Sequence, residues 1–326
     1  MSNKAVYTAV AERPTTFDDI RKAAERIAPY VHRTPVLTSS SLDERFGGQL
    51  FFKCENFQRI GAFKARGATN AVFSLDEERA GAGVATHSSG NHGAALALAA
   101  SLRGIRSWIV VPTDAPAVKS ESVRRLGANF VSCEPGLANR EAALEKVLAD
   151  TGAEMVHPYN DWRVIAGQGT AAMELLEDQP ELDLLMTPVG GGGLLSGCAV
   201  AAKAMRRGIE VIGCEPAGAD DAQRSFRSGE LQAMPNPRTV ADGLRGALGT
   251  RTFAVIRTLV DDIVTVSEDE IIAAMRLVWE RLKIVIEPSC AVPVAALLSG
   301  AVRLDGRKAG IVLTGGNVDL DNLPWR

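Results

Sequence analysis

Cysteine is scarce in this chain and scattered along it. The five cysteines, at positions 54, 133, 198, 214 and 290 of 326, show no CxxC spacing and are odd in number. That argues against a disulfide framework, and free thiols in a reducing cytoplasm are expected. Blocks of one charge are also missing. The chain carries 36 Lys and Arg against 39 Asp and Glu, a net charge of -3, which excludes nucleic acid as an expected partner. Long hydrophobic runs are absent too. The longest nearly apolar stretch, 290–302, is interrupted by Pro293, Ser299 and Gly300 and reads as a buried helix, so no membrane partner is expected. The opening residues, MSNKAVYTAVAERPTTFDD, lack the apolar core of a signal peptide. No fixed-period repeat, low-complexity tract or flexible linker marks the chain.

What is present is an alternation. Short apolar, β-branched runs at 50–54, 84–87, 108–111, 130–133, 184–188, 211–214, 263–266 and 311–314 predict strands. Between them, Ala-rich or amphipathic stretches at 94–102, 119–126, 141–151, 169–176, 195–205 and 268–282 predict helices. Strands alternating with helices imply an α/β fold with mostly parallel, doubly wound sheets. The length suggests about two domains. In such folds ligands gather where strands end and helices begin.

Three strand-to-helix turns carry unusual residues. In THSSGNHG, 86–93, two serines, an asparagine and two histidines crowd a helix start that needs one cap, and the free N–H groups there suit a carboxylate. In PVGGGGLLSG, 188–197, four consecutive glycines remove every Cβ, so backbone amides can close around a phosphate. The spacing fits neither GxGxxG nor a P-loop, which leaves a simple phosphate handle rather than a dinucleotide or nucleoside triphosphate. In LTGGNVD, 313–319, Thr314 ends the last strand beside another glycine turn; turn chemistry alone also explains this one.

The stretch GAFKARGATN, 61–70, sets Lys64 among small residues. Desolvation in such packing lowers an amine's pKa and makes it nucleophilic. Of the nine lysines in the chain, Lys64 is the best candidate for a Schiff base with pyridoxal 5′-phosphate, a phosphate-bearing aldehyde that the glycine turn would anchor. Read alone, it is also a surface lysine that snorkels.

FKCENFQ, GAFKARGATNA, THSSGNHG, VIAGQGT, PVGGGGLLSG, CEPAGADD and TGGNVDL follow one another from about Phe51 to Leu320. Together they resemble the serine racemase and serine/threonine dehydratase family, pyridoxal-phosphate enzymes of fold type II with a tryptophan synthase β-like architecture. The resemblance implies a large domain of residues 1–82 and 161–326 with a small domain, 83–160, inserted in it. It implies that Lys64 forms the Schiff base, that Phe63 lies against the cofactor ring, and that Asn91 bonds the ring hydroxyl. Gly190, Gly191, Gly192 and Gly193 would hold the phosphate, and Thr314 would face the pyridine nitrogen. Ser88, Ser89, Asn91 and His92 would receive the substrate carboxylate, with Arg140 near the substrate. Ser89 matches the serine opposite the lysine that serves racemases as the second proton carrier. In CEPAGADD, Glu215, Ala219 and Asp221 would hold a divalent cation by resemblance. An all-oxygen set suits magnesium, calcium or manganese, although spacing alone reads as a solvated acidic loop. A homodimer follows from the resemblance as well, and the free thiols place it in the cytoplasm.

Two departures bear on the substrate. Ala62 stands where family members often carry serine, and HPYNDW, 157–162, differs from the racemase version. GAFK with HPYND, and the ending TGGNVDLDNLPW, look closer to 3-hydroxyaspartate dehydratases. The expected activity is a pyridoxal-phosphate-dependent ammonia-lyase in amino acid catabolism, acting on L-serine, L-threonine or a 3-hydroxyaspartate. A racemase using Lys64 and Ser89 from opposite faces is the alternative. A noncatalytic binder of a phosphorylated metabolite and a β-replacement enzyme are two further readings.

Overall fold

The computed structural model describes residues 13–88, 90–113 and 125–325. Two separate sheets organise them. The larger has six strands in the order β1-β2-β10-β7-β8-β9. They comprise β1 (Val36–Leu37), β2 (Gln49–Cys54), β7 (Leu184–Pro188), β8 (Glu210–Pro216), β9 (Asp262–Val266) and β10 (Lys308–Leu313). Only the edge pair β1 and β2 is antiparallel. The smaller sheet runs β5-β4-β3-β6 and is parallel throughout. Its strands are β3 (Val84–His87), β4 (Ser107–Pro112), β5 (Asn129–Cys133) and β6 (Glu154–Met155). The expected α/β fold with two mostly parallel sheets is therefore observed.

Each predicted strand has its counterpart among these ten. β1 and β6, of two residues each, are additions that no periodicity announces, because two residues cannot alternate. The helices are longer than their apolar patterns, which fade at the capped ends. The segment predicted at 169–176 spans Trp162–Asp178, and that at 141–151 spans Leu137–Thr151. The helix Glu268–Leu282 has the expected bounds because a capping box fixes its start: Ser267 Oγ accepts from Glu270 N at 3.4 Å and Glu270 Oε2 from Ser267 N at 2.7 Å. The apolar stretch at 290–302 is the buried helix Pro288–Leu298. The helix predicted at 119–126 falls almost wholly outside the described residues.

The helix Lys64–Phe73 leaves the large sheet after β2 and packs on the helix Trp162–Asp178. Glycine makes this contact close: a Cβ on Gly167 would stand 2.7 Å from the Arg66 carbonyl oxygen. Beneath the contact lies a buried ionic cluster. Arg66, fully buried, donates to both oxygens of Glu55 at 2.7 and 2.8 Å and to both oxygens of Glu174 at 2.7 and 2.8 Å. Lys53 Nζ, also buried, donates to Glu174 Oε2 at 2.6 Å and to the Thr34 carbonyl at 2.7 Å. Two cations and two carboxylates balance, and the bidentate arginine geometry fixes their positions. Burial alone would raise the Glu174 carboxyl, but Arg66 and Lys53 hold it below its ordinary value. The helix that begins with Lys64 is thus locked two residues further on.

Candidate active site

The C-terminal ends of β3, β7 and β10 bring the three turns together with the segment before Lys64. Phe63 N donates to the Thr314 carbonyl at 3.0 Å, Gly316 N donates to the Gly61 carbonyl at 3.0 Å, and Ala62 bridges Gly315. The lysine loop is therefore stitched, backbone to backbone, onto the turn that follows β10. Ile60 carries a left-handed φ of 57° in this loop, a costly backbone for a β-branched residue. Its carbonyl accepts from Asn317 Nδ2 at 2.7 Å, which holds the bend.

Lys64 is half-buried and its amine end is enclosed. Nζ donates to the Pro158 carbonyl at 2.8 Å and lies 5.1 Å from the centre of the Phe63 ring. Burial pulls the amine down to about 8, with Glu287 opposing the shift. The residue after Pro158, Tyr159, packs on the glycine turn. A Cβ on Gly191 would run into its ring, and one on Gly193 would come within 2.9 Å of its Cβ. Behind the turn, a Cβ on Gly190 would sit 2.9 Å from Leu244 Cα, and one on Gly192 2.8 Å from Leu248 Cδ2. All four positions are closed to any side chain. Among the described residues no protein acceptor takes the N–H of Gly191, Gly192 or Gly193, and the helix Gly193–Met205 starts there. Free amides at a helix start make an anion seat.

Across the cleft, the helix Asn91–Arg103 begins with Asn91. Its Nδ2 donates to Glu287 at 3.0 and 3.3 Å, and its Oδ1 accepts from Asn317 Nδ2 at 2.9 Å. Ser88 Oγ accepts from Gly90 N at 3.4 Å; Ser89 lies outside the described residues. His92 is buried, with Nε2 donating to the Val156 carbonyl at 3.1 Å, and Thr314 is buried as well. Three of the four histidines converge here. His157 Nδ1 accepts from Asn160 N at 2.9 Å, and burial, with His87 next, pushes the ring down to about 3. His87 stands edge-on to it at 6.3 Å. Burial, then the charge of Arg140, lowers His87 as well. These rings are neutral at neutral pH.

Glu287, Pro158, Tyr159, Asn317 and His87 were not singled out from sequence. In the sequence HPYND reads only as a departure, and Glu287, the residue before the helix Pro288–Leu298, carries no signal beyond a helix start.

A family model described as pyridoxal-phosphate dependent enzyme matches residues 27–315. The chain belongs to that family. It is 51% identical over 310 residues to the beta-hydroxyaspartate dehydratase of Paracoccus denitrificans, covering 95% of this chain and 98% of that protein. It is 52% identical over 309 residues to the serine racemase of Arabidopsis thaliana, covering 93% of each. The solved structure of maize serine racemase matches with a TM-score of 0.93 at 48% identity, covering 95% of each chain. The protein is a pyridoxal-phosphate-dependent enzyme, and its cleft fits that cofactor. An enclosed amine with lowered pKa stands beside a cradle closed to every Cβ.

A neutral amine attacks an aldehyde and a charged one does not. Stripped of cofactor, the protein is expected to capture pyridoxal phosphate about tenfold faster per pH unit on approach to pH 8, then level off. Stopped-flow absorbance from pH 6 to 9 reads this directly, and a flat profile would refute the amine's lowered pKa.

The three positions expected to hold a cation lie on one turn. Glu215 is buried and accepts from Ala222 N at 3.0 Å and Gln223 N at 2.9 Å. Asp221 Oδ2 accepts from Leu248 N at 2.9 Å, while its Oδ1 is buried without a partner. Burial foremost, and each group's acidic neighbours, push Glu215 up to about 9 and Asp221 up to about 6. Ala219 is buried between them in sequence. No group of three or more His, Cys, Asp or Glu residues stands ready for a metal among the described residues. The orphaned oxygen and the raised carboxyls nevertheless fit an oxygen-bound cation.

Proposed function

We propose that the protein is an ammonia-lyase that converts a β-hydroxy-α-amino acid to a 2-oxo acid and ammonia, the water lost from Cβ being regained in the hydrolysis that frees the ammonia. The observation that carries this reading is the Lys64 amine, enclosed, lowered to about 8, and bonded to a carbonyl beside the glycine cradle. Similarity to a beta-hydroxyaspartate dehydratase supports it. When bound, pyridoxal phosphate supplies an electron sink that acidifies the Cα–H of an amino acid.

The chain's own residues supply the rest. Gly190, Gly191, Gly192 and Gly193 hold the phosphate with backbone N–H groups, and Phe63 lines the ring. Asn91 meets the ring hydroxyl, its amide oriented by Glu287 and Asn317. Thr314 offers the pyridine nitrogen a neutral hydroxyl, which holds no proton there as a carboxylate would, so elimination is favoured over transamination. The turn of Ser88, Ser89, Asn91 and His92 seats the substrate carboxylate. Lys64 Nζ takes the Cα proton as general base, and the Cβ hydroxyl departs as water.

L-Serine, L-threonine and the four 3-hydroxyaspartate isomers form the decisive panel, assayed for oxo acid and ammonia with chiral analysis of residual substrate. Absence of oxo acid from all of them would sink the lyase reading. Similarity to serine racemases favours a second reading, in which Lys64 and Ser89 exchange the Cα proton from opposite faces. Inverted residual substrate without ammonia would establish it.

We read Glu215, Ala219 and Asp221 as a structural cation site for magnesium, calcium or manganese. Divalent cation is expected to raise the melting temperature of the EDTA-treated protein, and Asp221→Asn to remove that gain; an equal gain in the variant counts against the site. We also read the chain as a cytoplasmic homodimer with residues 83–160 as a small domain. Exposed Phe57 and Val285, on segments joined by the Asn56 side chain to the Val285 carbonyl at 3.2 Å, support association. No helix among the described residues is long and apolar enough to cross a membrane.

A further inference from the structure

The four-glycine turn needs something outside itself to hold its shape. Glycines let an anion come close, but they also leave each peptide of the turn free to rotate. Amides that seat an anion must keep one orientation. The Gly191 carbonyl shows how one of them is fixed. Among the described residues a single donor reaches it, the Thr252 hydroxyl, at 2.8 Å. The next carbonyl, of Gly192, already belongs to the helix Gly193–Met205 and accepts from Ser196 N at 2.9 Å.

Thr252 is itself well anchored. It is fully buried in the helix Thr250–Leu259, and branching at Cβ restricts its χ1. Oγ1 accepts from Gly249 N at 3.0 Å, which leaves its one hydrogen to donate. The Gly249 carbonyl, at 3.1 Å, is the other acceptor in reach, but Phe253 N already serves it at 2.9 Å. The start of this helix is tied down by Asn160 of the HPYND stretch, whose Oδ1 accepts from Arg251 N at 2.8 Å. In a trans peptide the carbonyl and the following N–H point to opposite sides. With the Gly191 carbonyl drawn onto Thr252, the Gly192 N–H faces the other way, and among the described residues no protein acceptor takes it.

Resting on the reading that this turn seats the cofactor phosphate, we propose that Thr252 is a positioning residue for that seat. Its hydroxyl grips the Gly191 carbonyl and so aims the Gly192 amide at the phosphate. The effect falls on the phosphate alone, because the hydroxyl acts through the turn and not on the pyridine ring.

The test dialyses the holoenzyme, loaded with pyridoxal phosphate or with pyridoxal, and reads the retained fraction from the visible absorbance of the bound aldehyde. The wild type retains pyridoxal phosphate far better. Thr252→Val, which keeps the shape and loses the hydroxyl, weakens pyridoxal phosphate roughly 10- to 100-fold and leaves pyridoxal unchanged. Thr252→Ser, which keeps the hydroxyl, restores most of the preference. Equal weakening of both aldehydes in Thr252→Val marks a purely structural residue and overturns the proposal. So does an undiminished preference in that variant, or a Thr252→Ser protein that behaves like Thr252→Val. If the wild type holds both aldehydes equally, the phosphate seat itself falls, a result distinct from loss of the Thr252 role alone. A crystal structure of the wild-type holoenzyme decides the point without a variant. It is expected to show the Thr252 hydroxyl on the Gly191 carbonyl and the Gly192 N–H on a phosphate oxygen; a Gly192 N–H turned away from the phosphate overturns the proposal.

Discussion

Lys64→Ala is expected to abolish ammonia release and the visible absorption band of the bound cofactor together, with turnover falling roughly a thousandfold or more. The size follows from two tasks resting on one atom. Nζ is the group proposed to hold the cofactor aldehyde and, once freed, to take the Cα proton. The nearest lysine in sequence does not stand in for it, since Lys53 is locked to Glu174 and Thr34 in the ionic cluster. The fold should survive, because the side chain makes one hydrogen bond, to the Pro158 carbonyl. Circular dichroism and the melting temperature would then match the wild type while borohydride no longer fixes cofactor to the chain. Retention of both the band and turnover would refute the role given to this amine.

Arg66→Ala is expected to cost about 3–5 kcal/mol of stability, the largest effect of any single substitution outside the cleft. The guanidinium is matched on both edges, by Glu55 and by Glu174, and Thr170 Oγ1 accepts a further bond at 3.1 Å. Its removal strands Glu55 with no cation and leaves Glu174 only Lys53. Urea unfolding, with the midpoint shift read at constant slope, measures the cost. A loss below about 1 kcal/mol would show that water fills the cluster and that its charges are not truly buried. Cofactor affinity is expected to fall as well, since the helix released by this change begins at Lys64.

The contrast between these two residues shows what sequence alone conveys. Lys64 was legible because small neighbours surround it locally, and the glycine turn because four consecutive glycines are a local event. Both lie at strand ends, where the alternation of elements had already directed attention. The segments of Lys64, Asn91, Gly190–Gly193 and Thr314 do converge in the fold. Arg66 reads as an ordinary helical arginine, for its partners Glu55 and Glu174 arrive from 11 and 108 residues away. Glu287 escaped notice for the same reason, since it meets Asn91 across 196 residues. His87 was quoted inside a motif, yet only its unmatched nitrogen in the folded cleft distinguishes it from a buried ring with a satisfied partner.

The thiols, so unremarkable in the sequence, offer the experimenter a single address. Cys54, Cys198, Cys214 and Cys290 are all buried, and burial pushes every one of them up, Cys54 and Cys198 to about 12. At neutral pH they are protonated and shielded, hence sluggish toward maleimides. Cys133, at the end of the outermost strand of the small sheet, is half-buried instead. A fluorophore attached there without mutagenesis would ride on the edge of the small sheet and report how that sheet responds as ligands come and go.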